Sequence, residues 1–107
     1  MELRVTTRSQ GDRAVMSVAG EIDLYTAPRL HSALMTALSA GSPAAPLLLV
    51  VDMTGVEFCD STGMNVLLAA RRQAQEAGGD LQLAALRAPI RKVLQVTGLE
   101  SVFTVLD

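Results

Sequence analysis

Residues 47–63, LLLVVDMTGVEFCDSTG, contain the strongest strand signal of the chain and, directly after it, its densest cluster of polar side chains. Residues 47–51 are all aliphatic, and a run of this length without polar alternation is typical of a strand covered on both faces. We therefore expect a central strand here. The turn signal Thr54-Gly55 predicts its end, and a helical pattern follows over about residues 62–77.

The segments before this strand predict a hairpin and a helix. Apolar and polar residues alternate over residues 3–8 and again over 14–18, and the polar bend 9–12 separates the two runs. Thr26 can cap a helix that has Pro28 in its first turn, and Gly41 is expected to stop that helix. The chain is therefore expected to open with an antiparallel pair of strands, followed by the first helix.

The segments after the second helix continue the alternation of strands and helices. A short strand is expected at residues 81–84, a helix at about 89–96 and a last strand at 102–105, so the element order is ββαβαβαβ. Since helices separate the later strands, the sheet should be mostly parallel, with the hairpin as an antiparallel edge and the helices packed on the sheet. The chain has the length of one domain, so we expect a single α/β domain over residues 1–107.

Composition and charge exclude several classes of function. The formal net charge of -2 and the aromatic content of 3% provide neither the basic surface nor the stacking side chains that nucleic-acid binding needs. The single cysteine excludes an internal disulfide and a cysteine-built zinc site. The longest apolar stretch, residues 43–51, is far shorter than the roughly 20 residues of a membrane-spanning helix, and the N-terminus lacks a signal-peptide pattern. We expect a cytoplasmic protein without membrane, nucleic-acid or metal partners.

The predicted start of the second helix is the best candidate for a functional site. Asp60, Ser61 and Thr62 lie between the central strand and this helix, and binding sites of α/β sheets gather at the carboxyl ends of strands. These residues are also favourable helix caps, which satisfy free backbone N–H groups. Capping does not exclude function, because the positive end of a helix dipole also tolerates a phosphate added to a hydroxyl.

The second helix also predicts a surface for a partner. Its apolar face is expected to comprise Val66, Leu67, Ala70, Ala74 and Ala77. Met64 and Leu68, which are one turn apart, then fall on the outer face together with Arg71. These side chains either extend the core or form a docking ridge beside Ser61. We expect the ridge, with Met64, Leu68 and Arg71 in contact with a partner.

Enzyme mechanisms find little support in the residues. The only histidine, His31, is predicted on the outward face of the first helix, which argues against a triad with Ser61. The acidic neighbours of Cys59, Glu57 and Asp60, would raise the pKa of its thiol, so we expect a packed thiol rather than a nucleophile. Neither of the two common glycine-rich phosphate-binding motifs occurs. We expect no catalytic residues and no cofactor.

Residues 20–23 (GEID) and 51–63 (VDMTGVEFCDSTG) together resemble the STAS domain of bacterial anti-sigma factor antagonists. Residues 89–94 (PIRKVL), followed by 97–99 (TGL), are similar to that family's third helix and its exit. The resemblance spans nearly the whole chain. It implies a single STAS domain that regulates by binding and is not an enzyme.

The resemblance implies a switch in which an anti-sigma factor, itself a serine kinase of the histidine-kinase-like ATPase fold, sequesters a sigma factor. The unphosphorylated antagonist binds the anti-sigma factor and so frees the sigma factor. In that family the kinase phosphorylates the serine after the motif aspartate, here Ser61 after Asp60, and a metal-dependent serine phosphatase reverses the modification. Asp23 corresponds to a nearby acidic position, and Thr62 and Gly63 complete the motif.

The sequence departs from the family pattern at a few positions. Cys59 stands where a larger aliphatic residue is common, and Met64-Asn65 replaces the commoner Leu-Gly, so partner specificity is expected to differ. The sequence reaches Asp107 without the family's usual final helix, so we expect either a thinner last layer on the sheet or a sequence shortened at this end. An alternative function within the same fold is a module that senses a small ligand or nucleotide by binding an anion at the same helix N-terminus.

Overall fold

Five strands and three α-helices alternate along residues 2–107, the part of the chain that the computed structural model describes. In chain order the elements are β1 (Leu3–Gln10), β2 (Arg13–Ile22), α1 (Ala27–Leu38), β3 (Leu48–Cys59), α2 (Ser61–Glu76), β4 (Asp80–Ala84), α3 (Ala88–Thr97), a 3-10 turn (Leu99–Ser101) and β5 (Val105–Leu106). The predicted order ββαβαβαβ is confirmed. The last strand begins later than predicted, because the backbone N–H groups of Val102 and Phe103 still bond to the Leu99 carbonyl.

The five strands form one sheet whose spatial order, β1-β2-β3-β4-β5, repeats their order in the chain. β1 and β2 pair antiparallel, whereas β3, β4 and β5 each run parallel to the preceding strand. Gly11, with a φ of +63°, permits the tight turn between β1 and β2. A mostly parallel sheet with an antiparallel hairpin at its edge was predicted from the sequence, and the structure confirms it.

Strand β3 is longer than predicted. The additional residues place the candidate site at the carboxyl-terminal end of this strand. Thr54 and Gly55 do not end the strand, which continues to Cys59. Gly55 pairs with Ala19 of β2, and a Cβ atom on Gly55 would lie only 2.6 Å from the Ala19 Cβ. The glycine is thus needed for the close approach of two strands rather than for a turn. Two register shifts between β2 and β3 absorb the additional residues of β3.

The core lies on one face of the sheet. Two of its β3 members, Leu49 and Val51, pair in register with buried residues of both neighbouring strands. The helices contribute further buried side chains to the same core, chiefly Leu30 and Leu34 of α1 and Leu67 of α2. Their burial fixes α1 and α2 against the sheet, and thereby fixes the loops that connect β2 to α1 and β3 to α2.

Helix α3 packs against β3 in the region beyond the last residue of β4. Arg87, which precedes this helix, donates a hydrogen bond from Nε to the backbone oxygen of Thr54 over 2.7 Å. Gly98 ends α3 with a φ of +78°, as the sequence predicts. Within residues 2–107, no helix has both the length and the apolar character that a membrane crossing requires.

Candidate functional site

The connections that follow β2 and β3 lie next to each other at the carboxyl-terminal ends of these two strands. Ile22 and Cys59, the last residues of the two strands, are paired in register. The backbone N–H of Asp60 then donates to the Ile22 carbonyl over 3.1 Å, so the residues that follow the two strands also lie side by side. Asp23, which begins the loop to α1, and Asp60, the single residue between β3 and α2, therefore lie side by side although they are distant in sequence, as expected for parallel neighbours.

The first turn of α2 is capped by Asp60. Its carboxylate oxygen Oδ1 accepts a hydrogen bond from the Gly63 backbone N–H over 3.0 Å, while its backbone is extended. Ser61 and Thr62 are therefore the first two residues of the helix. Ser61 is exposed and Thr62 half-buried, and within residues 2–107 the Ser61 hydroxyl has no hydrogen-bond partner. The capping is performed by the aspartate alone, so the serine hydroxyl is free.

Gly63 allows α2 to begin directly against the strand ends. A Cβ atom at this position would overlap Cγ2 of Ile22 and lie 2.7 Å from Sγ of Cys59. Any side chain larger than hydrogen would therefore force Ile22, Cys59 or the first turn of the helix to shift. The glycine of the Asp-Ser-Thr-Gly element therefore sets the distance between Ser61 and the sheet.

Cys59 is buried under this first turn. Burial, together with the neighbouring charge of Asp60, raises the pKa of the Cys59 thiol to about 12. The thiol contacts the Asp60 carbonyl oxygen at 3.7 Å. A thiol in this state packs as a small apolar group and is not a nucleophile, in agreement with the expectation from the sequence.

Asp23 organises the loop between β2 and α1. Its Oδ1 accepts hydrogen bonds from the backbone N–H groups of Thr26, over 3.0 Å, and of Tyr25, over 2.9 Å. The Thr26 bond is the largest of the effects that hold the pKa of Asp23 below its ordinary value. The Asp23 carboxylate is thus bonded to the backbone of its own loop, although Asp23 lies beside Asp60.

Thr26 was expected to cap α1 with its side chain, and this prediction is wrong. Its hydroxyl instead donates to the Glu21 carbonyl over 2.8 Å and accepts from the Asp23 N–H over 2.9 Å. The hydroxyl thus closes the loop on itself and leaves the first amides of the helix without a side-chain cap. Asp23 and Thr26 together hold the loop by their buried polar atoms.

This loop presents two large apolar side chains that the sequence analysis did not identify. Leu24 is 65% exposed and Tyr25 is 87% exposed, although both lie between the buried residues Asp23 and Thr26. The signal in the sequence was the Asp-x-x-Thr spacing, which favours a closed turn whose two middle residues point outward.

The docking ridge predicted on α2 is corrected by the structure. Met64 is only 1% exposed and belongs to the core, so its assignment to an exposed ridge is wrong. The buried face of the helix is centred on Gly63, Leu67 and the alanines that follow, and Met64 falls within it. Leu68 and Arg71 are half-buried at the flank of this face, and their contact with a partner stays a prediction.

His31 is exposed on α1, as predicted, and it lies on the side of this helix that faces α2. It lines an open groove of about 410 Å³ between the two helices, together with Leu24, Pro28, Thr62 and Val66. Within residues 2–107 no hydrogen bond joins it to Ser61, and Asp60 is occupied as a helix cap. The geometry does not assemble a catalytic triad.

Comparisons with known proteins agree with this architecture. The family model described as "Mlab, STAS domain" matches residues 5–106. An anti-sigma-B factor antagonist of Listeria monocytogenes is 32% identical over 94 residues, which are 88% of this chain and 79% of the relative. The crystal structure of an anti-sigma factor antagonist from Mycobacterium paratuberculosis is 28% identical with a TM-score of 0.84, covering 98% of this chain and 86% of that one.

The Bacillus cell fate determinant SpoIIAA has the same fold. Its unphosphorylated form matches with a TM-score of 0.77 at 21% identity, over 97% of this chain and 87% of that one. Its phosphorylated form matches with a TM-score of 0.69 at 20% identity, over 97% and 90%. The relatives are named as antagonists of anti-sigma factors. Such antagonists are regulatory binding proteins, and this confirms the prediction that the protein is not an enzyme. The chain belongs to the STAS domain family, which includes these anti-sigma factor antagonists.

Proposed function

We propose that this protein is an anti-sigma factor antagonist whose unphosphorylated form binds a serine-kinase anti-sigma factor, and that phosphorylation of Ser61 ends the binding. The observation that carries the proposal is the free, exposed hydroxyl of Ser61 at the first position of α2. A kinase can reach this oxygen without breaking an internal hydrogen bond. Binding of the kinase by the antagonist releases the sigma factor that the kinase otherwise holds.

Ser61 is a better phosphate acceptor than Thr62. Thr62 is half-buried and lines the groove between α1 and α2, so its hydroxyl is less accessible to an enzyme. Ser61 lies directly after Asp60, whose capping hydrogen bond fixes the first turn of the helix. The neighbouring amides and the positive end of the helix dipole tolerate the added negative charge.

Phosphorylation is expected to leave the fold intact. It adds about -1.5 to -2 charges at neutral pH, which takes the formal net charge from -2 to near -4. The sequence has no lysine or arginine between Arg29 and Arg71, so no arginine clamp lies near in sequence to reorganise the domain around the phosphate. The helix dipole offsets part of the local repulsion by about 0.3–1 kcal/mol.

The same phosphate is costly at an interface. A dianion that is removed from water against a surface without compensating charge costs several kcal/mol, and its volume excludes the partner from close contact. Phosphorylation therefore prevents binding at the interface itself and does not act through a change in the structure of the sheet. A metal-dependent serine phosphatase would restore the binding form by removing the phosphate.

The test uses phosphotransfer and binding together. The protein is incubated with each purified histidine-kinase-like ATPase kinase of its own genome and labelled ATP, and the modified residue is located by mass spectrometry. We expect the phosphate on Ser61, no labelling of Ser61→Ala, and normal labelling of Thr62→Ala, which is the matched control. Labelling of Thr62 alone, or of neither residue by any kinase, would contradict the proposal.

Two further measurements complete the test. Amide spectra of the two forms should differ only over residues 58–68 and the neighbouring Asp23 loop, and calorimetry should show that the phosphorylated form no longer binds the kinase. Titration of the protein alone with ATP and GTP examines the alternative function, because a nucleotide sensor would bind one of them without any kinase.

A further inference from the structure

The surface around Ser61 includes an apolar pair, Leu24 and Tyr25, whose exposure is unusual for large apolar side chains. Leu24 is 65% exposed and Tyr25 is 87% exposed, and they are adjacent in the chain. Val96 is the only other large apolar residue within residues 2–107 with comparable exposure, and it stands alone in the last turn of α3. Two neighbouring apolar side chains left in water point to a contact that the isolated domain does not make.

The loop that carries the pair is held in one shape. Asp23 binds the backbone N–H groups of both Tyr25 and Thr26, and the Thr26 hydroxyl ties the loop to the Glu21 carbonyl. Asp23 and Thr26 are only 8% and 9% exposed, so water has limited access to these bonds. A loop fixed in this way loses little conformational entropy when a partner covers it, which favours a binding role over random exposure.

The position of Leu24 connects the pair to the phosphate acceptor. Leu24 lines the groove between α1 and α2 whose opposite wall includes Thr62, the residue after Ser61. The strand ends behind the two loops are joined by the hydrogen bond from Asp60 to Ile22. A kinase that places a nucleotide against the Ser61 hydroxyl therefore covers the mouth of this groove and reaches the neighbouring loop.

We propose that Leu24 and Tyr25 are the anchor residues by which the anti-sigma factor kinase docks on this protein, with Tyr25 as the larger contributor. The inference rests on the proposed function, since it assigns the partner's contact at the same site. It also replaces Met64 as a predicted anchor, because Met64 is buried. Tyrosine is a frequent interface anchor because it offers a large rigid surface with few rotatable bonds.

The test compares single alanine variants in binding and phosphorylation. Tyr25→Ala should weaken the Kd for the kinase that labels the wild type by about 30-fold, and Leu24→Ala by about tenfold. Val96→Ala is the matched control, since it removes an equally exposed apolar side chain from another surface, and it should bind as the wild type does. In phosphotransfer, KM should rise for both loop variants while kcat is retained, because Ser61 and its cap are unchanged.

The possible failures are distinguishable. If no kinase of the panel labels or binds the wild type, the proposed function and this inference both fail. If the wild type binds and the two loop variants match Val96→Ala, only the inference fails. Thermal melts should be unchanged in all three variants, because each side chain is exposed. If the protein alone dimerises in sedimentation and Tyr25→Ala abolishes the dimer without weakening kinase binding, the pair serves self-association and the inference is wrong.

Discussion

Replacement of Gly63 by alanine tests how closely α2 is fitted to the strand ends. The new methyl group would overlap Cγ2 of Ile22 and approach Sγ of Cys59 to 2.7 Å, and both of these atoms are buried. Overpacking of a well-packed core costs about 1–3 kcal/mol. Alanine gains at most about 1 kcal/mol over glycine inside a helix, and less in the first turn. We expect a net loss of roughly 1–2 kcal/mol in the free energy of unfolding, or about 4–8 °C in Tm.

The cause of this loss can be isolated with a second substitution. Cys59→Ala removes Sγ, one of the two atoms that the new methyl group would meet. The double variant Gly63→Ala/Cys59→Ala should therefore be more stable than the sum of the single effects predicts, by about 1 kcal/mol, which is within the usual range for residues in contact. Urea unfolding of the four proteins gives this coupling free energy directly.

Asn65→Ala, on the exposed side of the same helix, is the control and should change stability by less than about 0.5 kcal/mol. The reasoning is refuted if Gly63→Ala is as stable as the wild type, or if it is destabilised without any coupling to Cys59. Displacement of the first turn should also reduce the rate at which Ser61 is phosphorylated, which a phosphotransfer assay can measure on the folded fraction.

Three further predictions concern the residues around this turn. Asp60→Ala removes the helix cap and should cost about 1 kcal/mol in urea unfolding, whereas Asp60→Asn should retain most of the stability because the amide oxygen can still accept from Gly63. Cys59, whose thiol pKa is raised to about 12 by burial, should resist Ellman's reagent at mildly alkaline pH in the folded protein and react only in denaturant; fast reaction of the native form would show that it is not enclosed. The pKa of Asp23 is lowered in the folded state, so its stabilising contribution is present above the ordinary value of 3.8 and is lost as the pH falls through the lowered value. The stability difference between the wild type and Asp23→Asn should accordingly shrink on acidification, and a difference that grows would contradict the sign.

The order of strands and helices could be predicted because each element has its own local pattern. The alternating run at residues 3–8 and the aliphatic run at 47–51 depend on neighbours that are near in sequence. The true length of β3 could not be predicted in this way. Gly55 is present because Ala19 of another strand approaches it, and a glycine required by a close approach looks the same in sequence as a glycine in a turn.

The central residues of the candidate site were predicted from the sequence, but the apolar side chains that are exposed around them were not. Asp60 and Ser61 follow from the position of the loop after a central strand, whereas the burial of Met64 depends on the rotation of α2 about its axis. That rotation is set by Gly63, which a count of apolar side chains ignores although it lies at the centre of the buried face. The exposure of Tyr25 likewise depends on a turn closed by hydrogen bonds that no hydrophobic pattern records.

The order of strands in the sheet has a consequence for the synthesis of the protein. Each strand pairs with the one that leaves the ribosome just before it, so the sheet grows at one edge and no strand is inserted between two others. The segment from β2 to the first turn of α2 contains Asp23, Tyr25 and Ser61, but its strand β3 also pairs with β4, which is translated later. Because a small domain folds as a unit, we expect the neighbouring residues Asp23 and Ser61 to be fixed in place only when the whole sheet has left the ribosome.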